Sequence, residues 1–185
     1  MQNTSYGTCN EPIFFDDASV AVESRIMSMR IELAYDELDK IRELFVEYQT
    51  EISINLCFQN FEDELANLPG KYALPEGRLY IATLNEKLAG CVALRAIDEE
   101  HCEMKRLYVR KQFRGFGIAR ALVEKIINDA KNTGYSKMLL DTFFSMQDAI
   151  SLYRKFGFTE IEPYYNNPNN DVIYLGLDLC GYNDA

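Results

Sequence analysis

Histidine is nearly absent from this chain, and the residues that could form a disulfide framework are scattered. His101 is the single histidine. A cluster of histidine metal ligands is therefore excluded, and a Ser-His-Asp or Cys-His catalytic set could form only through that residue. The five cysteines are odd in number and include no Cys-x-x-Cys pair, which argues against both a disulfide framework and a zinc site. We therefore expect no metal.

Long apolar runs are also missing. No stretch approaches the roughly 20 apolar residues that span a bilayer, and the N-terminus has neither the basic start nor the apolar core of a signal peptide. The sequence therefore predicts a cytoplasmic protein that does not associate with a membrane. At 185 residues, with 48% hydrophobic and 12% aromatic residues, the chain suits one folded domain with a core.

Positive charge is scarce and unevenly distributed. The chain has 19 basic and 29 acidic residues, a formal net charge of −10. A long nucleic acid requires a broad basic face, which such a chain does not offer, so we predict no nucleic-acid partner. A local group of cations instead favours a small polyanion. Between Met104 and Val123 there are six basic residues and no acid: Lys105, Arg106, Arg110, Lys111, Arg114 and Arg120.

The same stretch contains a glycine pair between a predicted strand and a predicted helix. Gly115 and Gly117 would turn the chain so that the helix beginning at Ile118 directs free backbone N–H groups at one spot. The positive end of the helix dipole lies behind them, so the spot suits phosphate. A dinucleotide-binding loop would need a third glycine where Arg120 stands, and a P-loop would need Gly-Lys-Ser/Thr. A solvated turn without a ligand remains the alternative.

Apolar periodicity predicts a mixed α/β domain. The elements follow the order strand, two helices, three strands, helix, strand, helix and two strands between residues 29 and 179. One crossover helix connects two strands that we expect to be parallel. Residues 1–28 are polar and aperiodic, so we predict an N-terminal extension that is partly disordered, followed by the domain at 29–185.

Two motifs in this order lead to a known family. The loop fits Arg/Gln-x-x-Gly-x-Gly/Ala twice, and residues 149–158 read Ala-Ile-Ser-Leu-Tyr-Arg-Lys-Phe-Gly-Phe. The first resembles the pyrophosphate-binding loop of the GNAT superfamily of N-acetyltransferases, and the second resembles a block that follows this loop in many members. The resemblance covers roughly residues 29–179. It implies the GNAT fold, a central mixed, mostly antiparallel sheet flanked by helices.

The resemblance also implies acetyl-CoA as co-substrate, and direct transfer of its acetyl group to a primary amine of a small molecule or peptide in a ternary complex. The main chain of the strand before the loop would bind the pantetheine arm at a bulge and polarise the acetyl carbonyl. Met146 stands where many relatives carry Asn, so the side-chain contact to CoA that this Asn implies is either lost or supplied by Ser145. The implied CoA-binding residues are Leu107, Tyr108, Val109, Arg114, Gly115, Phe116, Gly117, Ile118, Ala119, Arg120, Ser145 and Tyr153.

Two residues are implied as catalytic. The reaction needs a base for an amine of pKa about 10 and an acid for a thiolate whose thiol has a pKa of about 8.5. Tyr153 matches a family tyrosine that points at the thioester sulfur, and Glu103 matches a family glutamate beside the acceptor amine. Packing in the core is the alternative for Tyr153. A salt bridge to Lys105, on the same face of the strand, or replacement by another carboxylate acting through water, are the alternatives for Glu103.

The acceptor pocket of the family is formed by the first two helices and the turn before the last strand. At those places Phe58, Phe61, Tyr164 and Tyr165 would form an aromatic wall suited to an aliphatic or cationic amine, although each ring could instead close the core. The acidic chain could steer a polyamine or a basic amino acid to this pocket. A non-catalytic acyl-CoA-binding module with the same fold stays open as an alternative function, and a homodimer stays open as an assembly.

Overall fold

The structure is a computed structural model that describes residues 27–52 and 60–182. The predicted N-terminal extension, apart from its last two residues, and the predicted acceptor residue Phe58 lie outside this part of the chain. No helix within it is long and apolar enough to cross a membrane.

The order of strands and helices predicted from the sequence is confirmed. The elements are β1 (Met29–Leu33), α1 (Leu38–Ile52), α2 (Phe61–Ala66), β2 (Arg78–Leu84), β3 (Lys87–Ala96), β4 (His101–Val109), α3 (Ile118–Thr133), β5 (Lys137–Phe143), α4 (Gln147–Lys155), β6 (Thr159–Glu160) and β7 (Val172–Asp178). Short 3₁₀ helices at Gly70–Tyr72 and Lys111–Phe113 precede β2 and α3.

The described strands form one sheet in the order β1-β2-β3-β4-β5-β7-β6. Every neighbouring pair is antiparallel except β4 and β5, which are parallel and joined by the crossover helix α3. The predicted fold, a mixed and mostly antiparallel sheet flanked by helices, is therefore confirmed.

Both faces of the sheet are covered, which explains why β3 is buried without interruption from Ala89 to Leu94. Successive strand residues point to opposite faces. On β3, Val92 and Leu94 belong to the core shared with α3 and α4, whereas Cys91 and Ala93 belong to the core shared with α1 and α2. All four residues are fully buried. The two cores place α1 and α4 on opposite sides of the same strands.

The strands β4 and β5 separate after a short paired stretch. They pair only where His101, Cys102 and Glu103 face Lys137, Met138 and Leu139. The rest of β4 is in register with β3 alone, so its other edge is open to a cleft. A cleft between diverging strands, with helices on both sides, is where the structure brings the predicted functional residues together.

Candidate active site

A bulge in β4 forms one wall of the cleft, as the resemblance predicted. The register between β3 and β4 shifts between Cys91 and Ala93, and Arg106 adopts a left-handed backbone with φ 56°. This conformation costs a residue with a side chain roughly 1–2 kcal/mol. The Arg106 guanidinium donates two hydrogen bonds to Glu64, at 2.9 and 3.1 Å, and lies 5.2 Å from the Phe61 ring centroid. This charge-assisted pair holds the bulge in place.

Glu64 is a buried carboxylate with three donors. Besides Arg106, it accepts hydrogen bonds from the Tyr72 hydroxyl at 2.8 Å and from Lys71 Nζ at 2.8 Å. Burial alone would raise the pKa of Glu64, but the hydrogen bonds and charges of Arg106 and Lys71 lower that pKa to about 2. The carboxylate is therefore ionised at neutral pH and fully engaged in structure.

The glycine loop forms the predicted anion-binding geometry. Gly115 and Gly117 have φ of 84° and 79°, and α3 begins at Ile118. Before the loop, the Arg114 N–H donates a hydrogen bond to the Lys111 carbonyl. After the loop, the first hydrogen bond of α3 is donated by the N–H of the residue that follows Arg120. Between these two points, none of the N–H groups of residues 115–120 has an acceptor among the residues that the structure describes. The loop is open and its amides are available, as phosphate binding requires.

The group of cations around this loop is largely neutralised, which corrects the expectation drawn from their local density. The acids that pair with them come from α1, α2, β4 and β5, and all of them except Glu103 are at least 36 positions from their partners in sequence. Lys111 and Arg120 form no ion pair with any residue in 27–52 or 60–182. The four pairings are Lys105 with Glu103 and Asp141, Arg106 with Glu64, Arg110 with Glu43 and Glu47, and Arg114 with Glu51. The loop is therefore suited to phosphate by its open main-chain amides more than by unpaired cations.

A cavity of ≈ 690 Å³ runs from this loop along β4. Tyr48 and Glu51 of α1 form its opposite wall, and Met146 at the start of α4 lies on it together with Ser145. Phe116 does not line it, and its ring is 43% exposed. The predicted CoA-binding residues that line the cavity are Leu107, Tyr108, Val109, Arg114, Gly115, Gly117, Ile118, Ala119, Arg120 and Ser145.

Tyr153 lies beside this cavity, at a second space between the diverging strands. A small space of ≈ 30 Å³, shared with the large cavity at Tyr48, Leu107 and Met146, is lined by the Tyr153 ring. The side chain is 7% exposed, and its hydroxyl has no hydrogen-bond partner among the described residues. Burial raises the pKa of Tyr153. The phenol is therefore protonated at neutral pH and free to donate a hydrogen bond into the cleft.

Tyr48 is a second free hydroxyl in the same place, and the sequence did not single it out. It lines both cavities, and its hydroxyl likewise lacks a partner in the described part of the chain. Burial raises its pKa to about 12. The ring packs edge-on against Tyr108, with 6.1 Å between centroids. Its position in the apolar stripe of α1 predicts a core residue, so the periodicity gave no sign that the hydroxyl faces a cleft.

Glu103 is engaged on both carboxylate oxygens. Arg95 Nε donates to Oε2 at 2.5 Å, while the Tyr164 hydroxyl donates to Oε1 at 2.7 Å and Lys105 Nζ lies 3.4 Å from it. The residue is 0% exposed and lines neither cavity of the cleft. The salt bridge considered as an alternative is thus present, together with a second one, and the role of Glu103 as base stays a prediction.

Asp141 is a second buried acid at the cleft, and the sequence analysis missed it. It accepts hydrogen bonds from Lys105 Nζ and from the Tyr165 hydroxyl, each at 2.9 Å. Burial alone would raise its pKa, but Lys105 and Tyr165 outweigh burial and hold the pKa below its ordinary value. It lines the small space beside Tyr153. A single acid inside the apolar strand 137–143 was the signal that could have revealed it.

The predicted acceptor wall is only partly assembled. Tyr164 and Tyr165 lie together, 5.4 Å between centroids, and both pack against Tyr174. Their hydroxyls contact the two buried carboxylates rather than one another. Phe61, by contrast, is 2% exposed, lies against Arg106 and lines neither cavity of the cleft. The structure therefore does not bring Phe61 to the acceptor side, because its ring is used to enclose the buried guanidinium.

A splayed parallel strand pair, a bulge, and an open amide row at a helix start define an acyl-CoA-type transferase fold, and comparisons with known proteins agree. Residues 38–158 match the acetyltransferase (GNAT) family. An uncharacterized N-acetyltransferase of Schizosaccharomyces pombe is 42% identical, over 84% of this chain and 96% of its own. One of Dictyostelium discoideum is 38% identical, over 83% of this chain and 100% of its own.

Solved structures share the fold at lower identity. A GNAT-family acetyltransferase from Staphylococcus aureus superposes with a TM-score of 0.69 at 21% identity, over 82% of this chain and 99% of its own. An acetyltransferase from Salmonella typhimurium, solved with its cofactor acetyl-CoA, has a TM-score of 0.62 at 19% identity, over 82% of this chain and 94% of its own.

This chain belongs to the GNAT family of acetyltransferases. Membership confirms three predictions made from the sequence: the fold, an acyltransferase enzyme, and acetyl-CoA as the co-substrate. It favours the enzyme over the non-catalytic acyl-CoA-binding module.

Proposed function

We propose that this enzyme transfers the acetyl group of acetyl-CoA directly to a primary amine of a small molecule or peptide, within a ternary complex. One observation carries the proposal. Two adjoining cavities, which share Tyr48, Leu107 and Met146 as lining residues, extend from the loop with the open amide row at residues 115–120 to Tyr153. Direct transfer requires donor and acceptor to meet in one cleft, and the strands β4 and β5 diverge to form it.

The residues of the donor side fit acetyl-CoA. The amides of residues 115–120 bind the diphosphate, aided by the start of α3 and by Lys111 and Arg120. The open edge of β4 at Leu107 to Val109 binds the pantetheine arm, because this edge has no strand partner on the β5 side. When bound, acetyl-CoA supplies an activated acetyl group and a thiolate leaving group.

Tyr153 acts as the acid in this proposal. Its hydroxyl is protonated, buried and without a partner, so it donates a proton to the leaving sulfur as the carbon–sulfur bond breaks. The Tyr48 hydroxyl, on the opposite wall, donates a hydrogen bond to the acetyl carbonyl oxygen, where negative charge develops. The two phenols thus have separate tasks in one narrow space.

Glu103 acts as the base through Tyr164 rather than by direct contact. Its carboxylate is fully buried, but the Tyr164 hydroxyl donates to it at 2.7 Å. As the amine nitrogen bonds to the acetyl carbon, its proton passes to the Tyr164 oxygen while the Tyr164 proton passes to Glu103. Tyr164 is half-buried and can therefore meet an acceptor that Glu103 cannot reach.

The decisive experiment is thiol release from acetyl-CoA across a panel of primary amines, with mass spectrometry of the products. We expect release with at least one amine and a product heavier by one acetyl group. Binding of acetyl-CoA, seen as a thermal shift, with no acetylated product from any amine would overturn the proposal.

The relay is tested by comparing Tyr164→Phe with Glu103→Gln. If Tyr164 connects the amine to Glu103, both variants lower kcat by similar factors, and the double variant is no slower than either single one. Tyr174→Phe, in the same aromatic cluster, is the matched control and should keep its turnover. Independent, multiplying losses would show that Tyr164 and Glu103 do not share one proton path.

A further inference from the structure

We propose that the acceptor carries a carboxylate as well as its amine, and that Arg95 binds this carboxylate in a cavity beside the reaction cleft. The inference rests on the proposed function, since it describes the acceptor of that reaction, but it is drawn from different residues.

Arg95 has unused donors and lines a cavity. Its Nε is bonded to Glu103, whereas neither Nη group has an acceptor among the described residues. The side chain is 32% exposed and lines a cavity of ≈ 340 Å³ that also contains Lys71 and Tyr72. The two Nη groups of a guanidinium fixed through Nε form a planar fork, and this fork matches the two oxygens of a carboxylate.

The buried acids around the cleft, unlike the Nη groups of Arg95, already have hydrogen-bond or ion-pair partners. Glu64 is taken by Arg106, Lys71 and Tyr72, Glu103 by Arg95, Lys105 and Tyr164, and Asp141 by Lys105 and Tyr165. A second ammonium group, as in a polyamine, would therefore find no free buried carboxylate here. The remaining acid at this cavity is Asp63, which is exposed on α2 and makes no salt bridge with a described residue. It provides the competing hypothesis.

Arg95 is close enough to the reaction cleft for one small molecule to contact both. It lies opposite Glu103, the last residue of β4 that pairs with β5. Lys105, two residues further along β4, lines the space beside Tyr153. Two strand residues span about 7 Å. Arg95 and Tyr164 also contact the two oxygens of the same Glu103 carboxylate. A molecule the size of an amino acid could therefore place its amine at the Tyr164 hydroxyl and its carboxylate on Arg95.

Three probes test the inference: pentylamine, norleucine and ε-aminohexanoate. Removing the carboxylate from either amino acid would give pentylamine, so the probes differ only in the presence and position of that group. Norleucine carries the carboxylate next to the amine, and ε-aminohexanoate carries it at the far end of the chain. Binding of each probe to the full-length enzyme is measured by calorimetry, and turnover by thiol release with acetyl-CoA. We expect at least one of the two amino acids to bind roughly 10-fold more tightly than pentylamine, because charge-assisted bidentate contacts reach that strength.

Variants then assign the preference to Arg95. Arg95→Gln should remove it by raising KM for the amino acid more than KM for pentylamine, because the lost Nε contact to Glu103 affects both probes alike whereas the lost Nη groups affect only the carboxylate. Arg95→Lys keeps the charge beside Glu103 and should restore part of the preference. Arg30→Gln, an exposed arginine on β1, is the matched control and should change neither KM. Thermal unfolding of the Gln and Lys variants separates a binding loss from a folding loss.

The outcomes separate the two proposals. Equal binding of all three probes, or a preference for pentylamine that Asp63→Asn removes, overturns the carboxylate inference and leaves acetyl transfer intact. An Arg95-dependent preference in binding without acetylation of any amine supports the carboxylate site and counts against the proposed reaction.

Discussion

The two sides of the cleft offer different kinds of chemical group to their ligands. On the donor side, the groups offered to the ligand belong to the main chain: the amides of residues 115–120 and the open edge of β4. On the acceptor side they are side chains, joined in a buried network of Arg95, Glu103, Lys105 and Asp141 with the Tyr164 and Tyr165 hydroxyls. Main-chain groups keep their chemistry when residues change. The donor side should therefore tolerate substitution better than the acceptor side.

The largest expected effect is a fall in kcat on changing Tyr153, which lies where the donor and acceptor sides meet. Tyr153→Phe removes the free hydroxyl from the narrow part of the cleft, so we expect kcat to fall roughly 10²- to 10⁴-fold while KM for acetyl-CoA changes little. Steady-state kinetics measure this. Tyr135→Phe, whose hydroxyl bonds the carbonyl of Glu76 away from the cleft, is the matched control. An unchanged kcat in Tyr153→Phe would remove the acid from the mechanism.

The next prediction compares the Glu64–Arg106 pair, whose Glu64 lines the cavity at Arg95 on the acceptor side, with the Glu51–Arg114 pair of the donor side. Glu64→Ala leaves the Arg106 guanidinium buried without its partner, and we expect a loss of about 3–5 kcal/mol in the free energy of unfolding. Glu51→Ala breaks the pair with Arg114, whose side chain is half exposed, and should cost about 1 kcal/mol or less. Urea unfolding measures both. Equal losses would show that the two sides do not differ in how they depend on side chains.

Acid should weaken the acceptor side through the same residue. The pKa of Glu64 is lowered to about 2, below its ordinary value of 4.5, so its stabilising effect is complete above pH 4.5 and is lost as the pH falls towards 2. The shift corresponds to on the order of 3 kcal/mol. Urea unfolding between pH 7 and pH 3 should show the difference between wild type and Glu64→Gln shrinking with acid. A difference that is constant over this range would contradict the assignment.

The smallest effect is expected in the glycine loop. Gly117→Ala forces a side chain into φ 79°, which costs roughly 1–2 kcal/mol, although the added Cβ would meet no atom within 4 Å. Because the N–H groups remain, we expect acetyl-CoA affinity to fall less than about 10-fold, measured by calorimetry. The control is Gly181→Ala, where an added Cβ also meets open space. A complete loss of binding would mean that the loop geometry is less tolerant than its main-chain construction implies.

Residues of the donor side could be predicted because the features involved leave local marks in the sequence. A left-handed backbone at a helix start favours glycine, so Gly115 and Gly117 indicate the loop. Tyr153 stands within a motif whose neighbours fix its helix. Apolar periodicity predicts the order of strands and helices, whereas the bulged strand that lines the cleft is implied by the resemblance to the GNAT superfamily.

The contacts of the acceptor side leave few such local signals in the sequence. Glu64 and Arg106 are 42 positions apart, and only the folded sheet brings them together. The bulge in β4, which also belongs to the donor side, places a left-handed backbone on Arg106, so no glycine marks it in the sequence. An aromatic residue looks the same in sequence whether it lines a pocket or closes a core. For this reason the sequence predicts Phe61 on the acceptor wall and Tyr48 in the core.

Helix α1 holds the arginines next to the loop through Glu43, Glu47 and Glu51, which recur at intervals of one helical turn. The positive charge of these arginines is therefore mostly neutralised by α1 before acetyl-CoA approaches the cleft. Long-range steering should contribute little, and the association rate constant of acetyl-CoA should vary only weakly with ionic strength.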